Sequence, residues 1–596
     1  MKKLLSLGAL ALGVLALASC SNGNEGVVTK DIIGASNGKV EKLGESKLFF
    51  KKDSTIPYIP LEECNVLLTL VRSANLDNQK YGFTLKKNNN EFTLQNETGA
   101  KCVINADTQT LTYDDYDALT AVVPDTQKPL SLINVDKTKN AIKLVSTEYK
   151  KGNEVKIDLN KYSKLDIYVE DGVCYIPLSV FNSVLFNTNE NVSLAYNGVS
   201  LFLIPSGSLS TNVFGTPFAT ELGEKIREGA KKSTITQEYL DYYYQSLCLD
   251  FDIEYGLKEK FTSFDEFLAS KNLKNGIYNT DIKTSDSNLA IALTYLQDGH
   301  TALSEFSYYY DFGDNSVDKT KFNQDLMLKE EADIKFTKSK SNAQISTGLD
   351  YSRADDTVFI DFGKFTQLDT DALYKKSTKD EFDLDDIGIP GLDFGKYSQT
   401  QLSNTGCIFN QLYLDLTQDE TKKNVKNIVV DLTTNSGGAA DSLLYSLSTL
   451  IGNVTVDLRN PLTGATNHQV FKADINTDGK VDENDKDLAS LGYNIYFLNS
   501  RYSFSSANAM PVLAKLNNPN VINLGDKTAG GPCAVRENVS PLGNVLSTSS
   551  LNTISKVVDG KYVNIDGGVD ADFKLDEKEM IDRNYIATNI NNWKLV

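Results

Sequence analysis

The chain has 596 residues, of which 41% are hydrophobic and 23% charged, an ordinary globular balance. Its formal net charge of -19 excludes nucleic acid as a partner, because phosphate binding needs clustered Lys and Arg. At roughly 150 residues per domain, the length corresponds to three or four domains.

The N-terminus opens with Lys2 and Lys3, an apolar run from Leu4 to Leu17, and then Leu17-Ala18-Ser19-Cys20 before a polar stretch. A basic start, a short apolar core and small residues at the cut describe a secretory signal peptide over 1–20, too short to span a bilayer at about 20 residues. The tetrad resembles the lipobox of bacterial lipoproteins. That resemblance implies that Cys20 is lipidated and that the mature chain is held on a membrane, on the extracytoplasmic side, by several acyl chains. No later run of about 18 apolar residues suggests a membrane span. The other cysteines, Cys64, Cys102, Cys174, Cys248, Cys407 and Cys533, are scattered without a CxxC pair, so zinc-like spacing is absent and buried thiols are expected.

Residues 21–45, rich in Gly, Asn, Lys and Ser, read as a tether. Residues 46–210 read as β-rich, with short β-branched and aromatic runs between Asn, Asp and Gly turns. An internal repeat is visible: Ile56-Pro57-Tyr58-Ile59-Pro60-Leu61 recurs as Val173-Cys174-Tyr175-Ile176-Pro177-Leu178, with Asn65 and Asn182 at the same offset. Two similar small modules are expected. The "YIPL" segment resembles the N-terminal-like domain of copper amine oxidases, which implies a spacer or binding module without a metal. Residues 215–305 carry apolar residues at three- and four-residue steps and read as helical, and their Tyr-rich stripe as core. Residues 306–354 form a variable insertion. From 355 to 596 buried-strand candidates, Asp356–Phe362, Asn427–Leu432, Tyr493–Leu498 and Val521–Leu524, alternate with helical segments. This is an α/β pattern with ligands expected at the carboxyl ends of the strands.

Chemistry concentrates at two of those strand ends. Ile428–Leu432 runs into Thr433-Thr434-Asn435-Ser436-Gly437-Gly438 and a helix, and paired glycines at a helix N-terminus can aim backbone N–H groups at developing negative charge. The next strand enters Asn499-Ser500-Arg501-Tyr502-Ser503-Phe504-Ser505-Ser506-Ala507-Asn508, which can present a hydroxyl at the strand's end. Leu524-Gly525-Asp526-Lys527-Thr528-Ala529-Gly530-Gly531 follows, and Leu296-Gln297-Asp298-Gly299-His300-Thr301 lies upstream.

In this order the four segments resemble the S41 family of serine peptidases, which includes the tail-specific and C-terminal processing peptidases and the tricorn core. The resemblance covers about residues 215–590. It implies a multidomain protein whose β modules and helical segment precede a ClpP/crotonase-like α/β core. It implies Ser505 as nucleophile, and as oxyanion donors the backbone N–H of Gly437 or Gly438 together with that of Ser506. The lysine that processing peptidases use as base is replaced here by Gly531. Tricorn-like members use a histidine and an acid, and His300 occupies the "DGHT" position in a chain with only two histidines. Histidine titrates near neutral pH and can take the serine proton and return it to the leaving amine. Asp566, in Ile565-Asp566-Gly567-Gly568-Val569-Asp570-Ala571-Asp572, is the choice for the acid that orients it. Asp570 and Asp572 remain alternatives, and Asp before Gly is also a common turn former. Lys527 is the alternative base. No PDZ pattern is visible.

Between the two strands, Asp474-Ile475-Asn476-Thr477-Asp478-Gly479-Lys480-Val481-Asp482-Glu483-Asn484-Asp485 fits an EF-hand loop. Asp474, Asn476, Asp478, Asp482 and Asp485 supply side-chain oxygens, and Lys480 stands where a backbone carbonyl is used. Asp at the twelfth position resembles dockerin loops, and the implied calcium is structural. No cofactor is expected for catalysis. The sequence therefore points to a cell-surface peptidase acting on peptides or unfolded protein. A peptide-binding protein on the same scaffold, or an adhesin working through residues 46–205, are the competing readings.

Overall fold

The computed structural model describes residues 26–36, 39–75, 82–121, 129–186, 192–205, 217–230, 235–309, 335–341, 343, 348–375 and 401–594. Cys20 and the signal segment lie outside the described residues, as does most of the 306–354 insertion.

The expected tether is corrected by the structure. From residue 26 onward it is a long antiparallel hairpin, Gly26–Ser36 with Lys39–Phe50. Lys and Gly disguise it, because only part of each strand is buried, and Leu48, Phe49 and Phe50 carry the buried end. This hairpin sits inside a seven-stranded sheet in which both copies of the repeat meet. Tyr58–Pro60 pairs antiparallel with Val173–Pro177 in the register Tyr175 with Pro60, Ile176 with Ile59 and Pro177 with Tyr58. The repeats thus face one another across one sheet rather than forming two separate modules. Each proline ends its strand and a helix begins at the next residue, Leu61–Asn75 after Pro60 and Leu178–Phe181 after Pro177, because Pro suits the entry of a helix and not its interior. A five-stranded antiparallel sheet spanning residues 84–158 completes this half.

Helices Pro217–Ala230, Gln237–Glu254, Phe264–Ser270 and Ile282–Thr294 follow. The Tyr-rich stripe is core: Tyr242 and Tyr243 are fully buried. Beyond them a six-stranded sheet runs in the spatial order Gly348–Ala354, Thr357–Asp361, Asn427–Asp431, Asn494–Asn499, Ile522–Gly525, Phe573–Lys574. The first pair is antiparallel and the rest are parallel. Thr357–Asp361 and Asn427–Asp431 are buried along their whole length, as strands covered on both faces must be. Helix Ala440–Ile451 is buried from Ser442 to Leu450, wedged between this sheet and a fourth one. That fourth sheet is built on the long strand Val545–Val558, and Ile142–Lys150, supplied by the N-terminal half, is an edge strand of it. The boundary expected near residue 210 is therefore crossed by the chain. The carboxyl ends of the parallel strands converge on one region, with Gly437, Gly438 and Ser505 in the turns that leave them.

Candidate active site

Strand Asn494–Asn499 is followed by a six-residue turn and helix Ser506–Asn517, and Ser505 is the last residue of that turn. Its backbone sits at φ 56 and ψ -122, a conformation that costs a non-glycine residue energy unless the surroundings impose it. The surroundings do impose it. Ser500 Oγ donates to Thr433 O at 2.6 Å, Ser503 Oγ to Leu432 O at 2.8 Å, and Ser505 N to Gly530 O at 2.9 Å. Ser505 stands at the N-cap yet its side chain makes no capping bond. A strained strand-to-helix turn holding an uncommitted hydroxyl at the sheet's carboxyl end is how nucleophilic serines are presented.

The glycine pair approaches this turn as closely as backbone can. At Gly437 (φ 97) a Cβ would lie 2.6 Å from both Phe504 O and Ser505 Cβ, and at Gly438 (φ 133) 2.1 Å from Phe365 O, so neither tolerates a side chain. The Gly437 N–H already donates to Asn435 Oδ1 at 2.9 Å, and Asn435 Nδ2 is anchored on Phe362 O at 2.7 Å. The N–H groups of Gly438 and Ser506 have no acceptor among the described residues. Of the two glycines left open by sequence, Gly438 is the one with a donor to offer. Ser506 Oγ donates to Gly438 O at 2.7 Å and ties the two donors together.

His300 follows the Asp298-Gly299 turn beyond helix Ile282–Thr294. Asp298 accepts the His300 N–H at 3.0 Å and the Thr301 hydroxyl at 2.6 Å, which fixes the histidine backbone. The imidazole is buried and lies 4.6 Å, centroid to centroid, from the ring of Phe504, the residue before the nucleophile. Its Nδ1 has no hydrogen-bond partner among the described residues. Burial pushes its pKa down, against the pull of Asp298 and Asp566. Asp566 accepts the Gly531 N–H at 3.3 Å and lies 3.5 Å from Lys260 Nζ. Ser505, His300 and Asp566 are thus gathered around Phe504, but no hydrogen bond joins the histidine to the serine or the acid. Of the alternative acids, Asp570 is exposed, while Asp572 is engaged by Lys515 and by Asn523 N. Lys527 is exposed.

The missing lysine has a steric counterpart. A Cβ at Gly531 (φ 85) would lie 2.5 Å from the Phe504 ring, and one at Gly299 would lie 2.6 Å from it. Phe504 therefore fills the space between the two glycines and the imidazole.

The 474–485 loop is tightly self-bonded. Asp474 accepts from Asp478 N at 3.1 Å and Gly479 N at 2.7 Å, and Asp485 from Ile475 N at 2.9 Å and Asp482 N at 2.8 Å. Asn476 and Asp478 likewise accept backbone N–H groups of the loop, from Asp478 and Lys480. Asp482 accepts from Asn484 N at 2.8 Å. Among the described residues no group of three or more His, Cys, Asp or Glu side chains is disposed to hold a metal ion. All six remaining cysteines are buried free thiols.

Three residues at this site escaped the sequence reading. Phe504 and Asp298 lie inside the quoted motifs but gave no cue to their roles. Lys340, which reaches Asp431 at the start of the glycine turn, lies in a stretch without any motif.

Compared with known proteins, residues 397–575 match the model of peptidase family S41, a span that contains the glycine turn, Ser505 and Asp566. A candidate peptidase from Parabacteroides merdae is similar in structure at 16% identity, over 60% of this chain and 96% of that one, with a TM-score of 0.37. A lipoprotein from Streptococcus agalactiae is similar at 12% identity, over 59% and 96%, with a TM-score of 0.33. The photosystem II D1 C-terminal processing protease is similar at 17% identity, over 30% and 41%, with a TM-score of 0.23. No curated protein sequence matches the chain. Residues 397–575 thus carry a region that matches peptidase family S41, a family of serine-type peptidases.

Proposed function

We propose that this protein is a membrane-anchored, extracytoplasmic serine peptidase that cleaves peptides or unfolded protein with Ser505 as nucleophile. The observation that carries the reading is the strained, uncapped Ser505 beside the unengaged N–H groups of Gly438 and Ser506. His300 takes the Ser505 proton as the hydroxyl attacks the scissile carbonyl, and the two N–H groups stabilise the oxyanion. The imidazolium then protonates the leaving amine, and water clears the acyl-enzyme by the reverse proton route. Asp566 orients His300. Bound substrate tightens the histidine–serine contact, since catalytic hydrogen bonds are often long without it. Anchoring through acylated Cys20 rests on the signal-like N-terminus. The 474–485 loop is proposed as a structural calcium loop, supported by its ligand spacing and by Gly479 at φ 90 where the sharp turn falls.

A second reading, a peptide-binding protein on a peptidase scaffold, is favoured by one observation: Asp566 is paired with Lys260 rather than bonded to His300. The test is fluorophosphonate labelling of residues 21–596 carrying Cys20→Ser, beside Ser505→Ala and His300→Ala. Labelling that disappears in both variants is expected. No labelling of the folded wild type would favour the binding protein, and labelling that survives His300→Ala would remove histidine as the base.

A further inference from the structure

We infer that Lys340 is a positioning residue for the oxyanion turn, holding Gly438 in register with the nucleophile; the inference rests on the reading of Ser505 as nucleophile. Lys340 belongs to helical residues 335–341 and is buried. A buried ammonium is costly unless its donors are matched. Here Nζ lies 2.7 Å from Asp361 Oδ2, 3.0 Å from Asp431 Oδ1, 2.9 Å from Thr433 Oγ1 and 3.2 Å from Thr434 Oγ1. Asp361 and Asp431 are register partners at the ends of adjacent parallel strands, and Thr433 and Thr434 open the turn that leads to Gly437 and Gly438.

The arrangement is more than charge balance. Arg583 also reaches this pair, 3.2 Å from Asp361 and 3.6 Å from Asp431, while its other arm holds Asp350 at 2.9 Å. Lys340 adds the two threonine hydroxyls. Thr433 matters to both halves of the site, because its carbonyl receives Ser500 Oγ and its neighbour Leu432 receives Ser503 Oγ, both from the turn that strains Ser505. Burial opposes ionisation of Asp431, yet Lys340 and Arg583 outweigh it and hold that carboxyl down to about 2. Burial and Asp431 push Asp361 up to about 7 even with both cations present, so the cluster has no surplus positive charge. Without Lys340 the turn loses two tethers, and the carboxylate pair is left with one cation shared with Asp350.

The experiment uses the mature chain, residues 21–596 with Cys20→Ser, and resolves fluorophosphonate inactivation into KI, kinact and the fraction labelled at saturation. Lys340→Met is expected to lower kinact about tenfold or more, with KI and the labelled fraction unchanged, because a misplaced oxyanion donor acts on the transition state. Thr434→Val, which leaves the ion cluster intact, is expected to lower kinact about threefold. A purely structural role would reduce the labelled fraction and leave the kinact of folded molecules alone, and that result overturns the inference. If Lys340→Met fails to fold, Thr434→Val decides, and an unchanged kinact counts against the proposal. A wild type that never labels at Ser505 overturns the peptidase reading and the positioning role together. Labelling that is indifferent to both substitutions overturns the positioning role alone.

Discussion

At position 531 any side chain meets the Phe504 ring, since a Cβ there would lie 2.5 Å from it on a backbone at φ 85. That ring also covers one side of His300, so one residue both excludes a lysine base and dries the histidine. Burial disfavours the imidazolium, and the neutral form able to accept a proton therefore persists below its ordinary value of about 6.5. With His300 as the proposed base, falling pH would protonate it and stop the reaction from the acid side. The rate of Ser505 labelling is expected to fall with acid at a midpoint below about pH 6.5. In Phe504→Ala, where water reaches the imidazole, the midpoint should move up. A wild-type midpoint at or above about 6.5 would contradict the argument. At this scale the sequence singled out Ser505, Ser506 and His300, where chemistry and spacing coincide. Among Asp566, Asp570 and Asp572 the sequence left the acid open, and the engagement of Asp572 by Asn523 N is a contact between segments far apart in the chain. The roles of Phe504 and Lys340 depend on neighbours that no local pattern announces.

Among the elements, the buried parallel strands were legible because continuous runs such as Ile428-Val429-Val430 suit a strand covered on both faces. The hairpin at 26–50 was not, because its lysines and glycines mimic a linker and its burial comes only from partner strands. The 474–485 loop lies between these cases: its spacing is local, and its conformation follows that spacing. Thr477 at φ 56 and Gly479 at φ 90 curl the backbone so that Asp474 and Asp485 receive N–H groups from within the loop. Both carboxylates are buried, and several like charges share a small volume. Asp478 and Asp485 together with burial push the Asp474 carboxyl up, burial being the larger cause. A bound divalent cation would offset that crowding. Calcium at about 100 times its dissociation constant stabilises a folded protein by about 2.7 kcal/mol. Thermal unfolding is therefore expected several degrees higher in calcium than in a chelator, with the difference abolished in Asp474→Ala. Equal melting in calcium and chelator would sink the calcium reading.

For the whole molecule, the decisive feature is that the two halves share one core. A single apolar cluster runs from Tyr58, Ile59 and Leu178 in the N-terminal sheet, through Tyr242 and Phe251 of the helices, to Cys533, Leu542 and Leu546 of the catalytic half. A polar junction lies beside it. Arg536, buried at the centre of strand Cys533–Val539, donates to both oxygens of Asp250 at 2.9 and 3.1 Å and to Ser183 O at 3.2 Å, and Asn182 donates to Asn538 at 2.6 Å. Asn182 is the repeat's marker residue, so the second repeat is built into the wall that carries strand Cys533–Val539 from Gly531 onward. Strand Ile142–Lys150 closes an edge of the catalytic half's own sheet. Each large apolar side chain uncovered by removing the N-terminal half forfeits about 1.5–3 kcal/mol, and a buried charge stripped of its partners about 3–5. A handful of such losses exceeds the 5–15 kcal/mol or so by which a domain is stable. Residues 215–596 expressed alone are therefore expected to show no cooperative unfolding transition and no Ser505 labelling. Arg536→Ala in the mature chain should lower its stability by about 3–5 kcal/mol. An adhesive N-terminal half carried beside an independent peptidase would predict the reverse: a truncated chain that melts cooperatively and labels at Ser505 as fast as the full one.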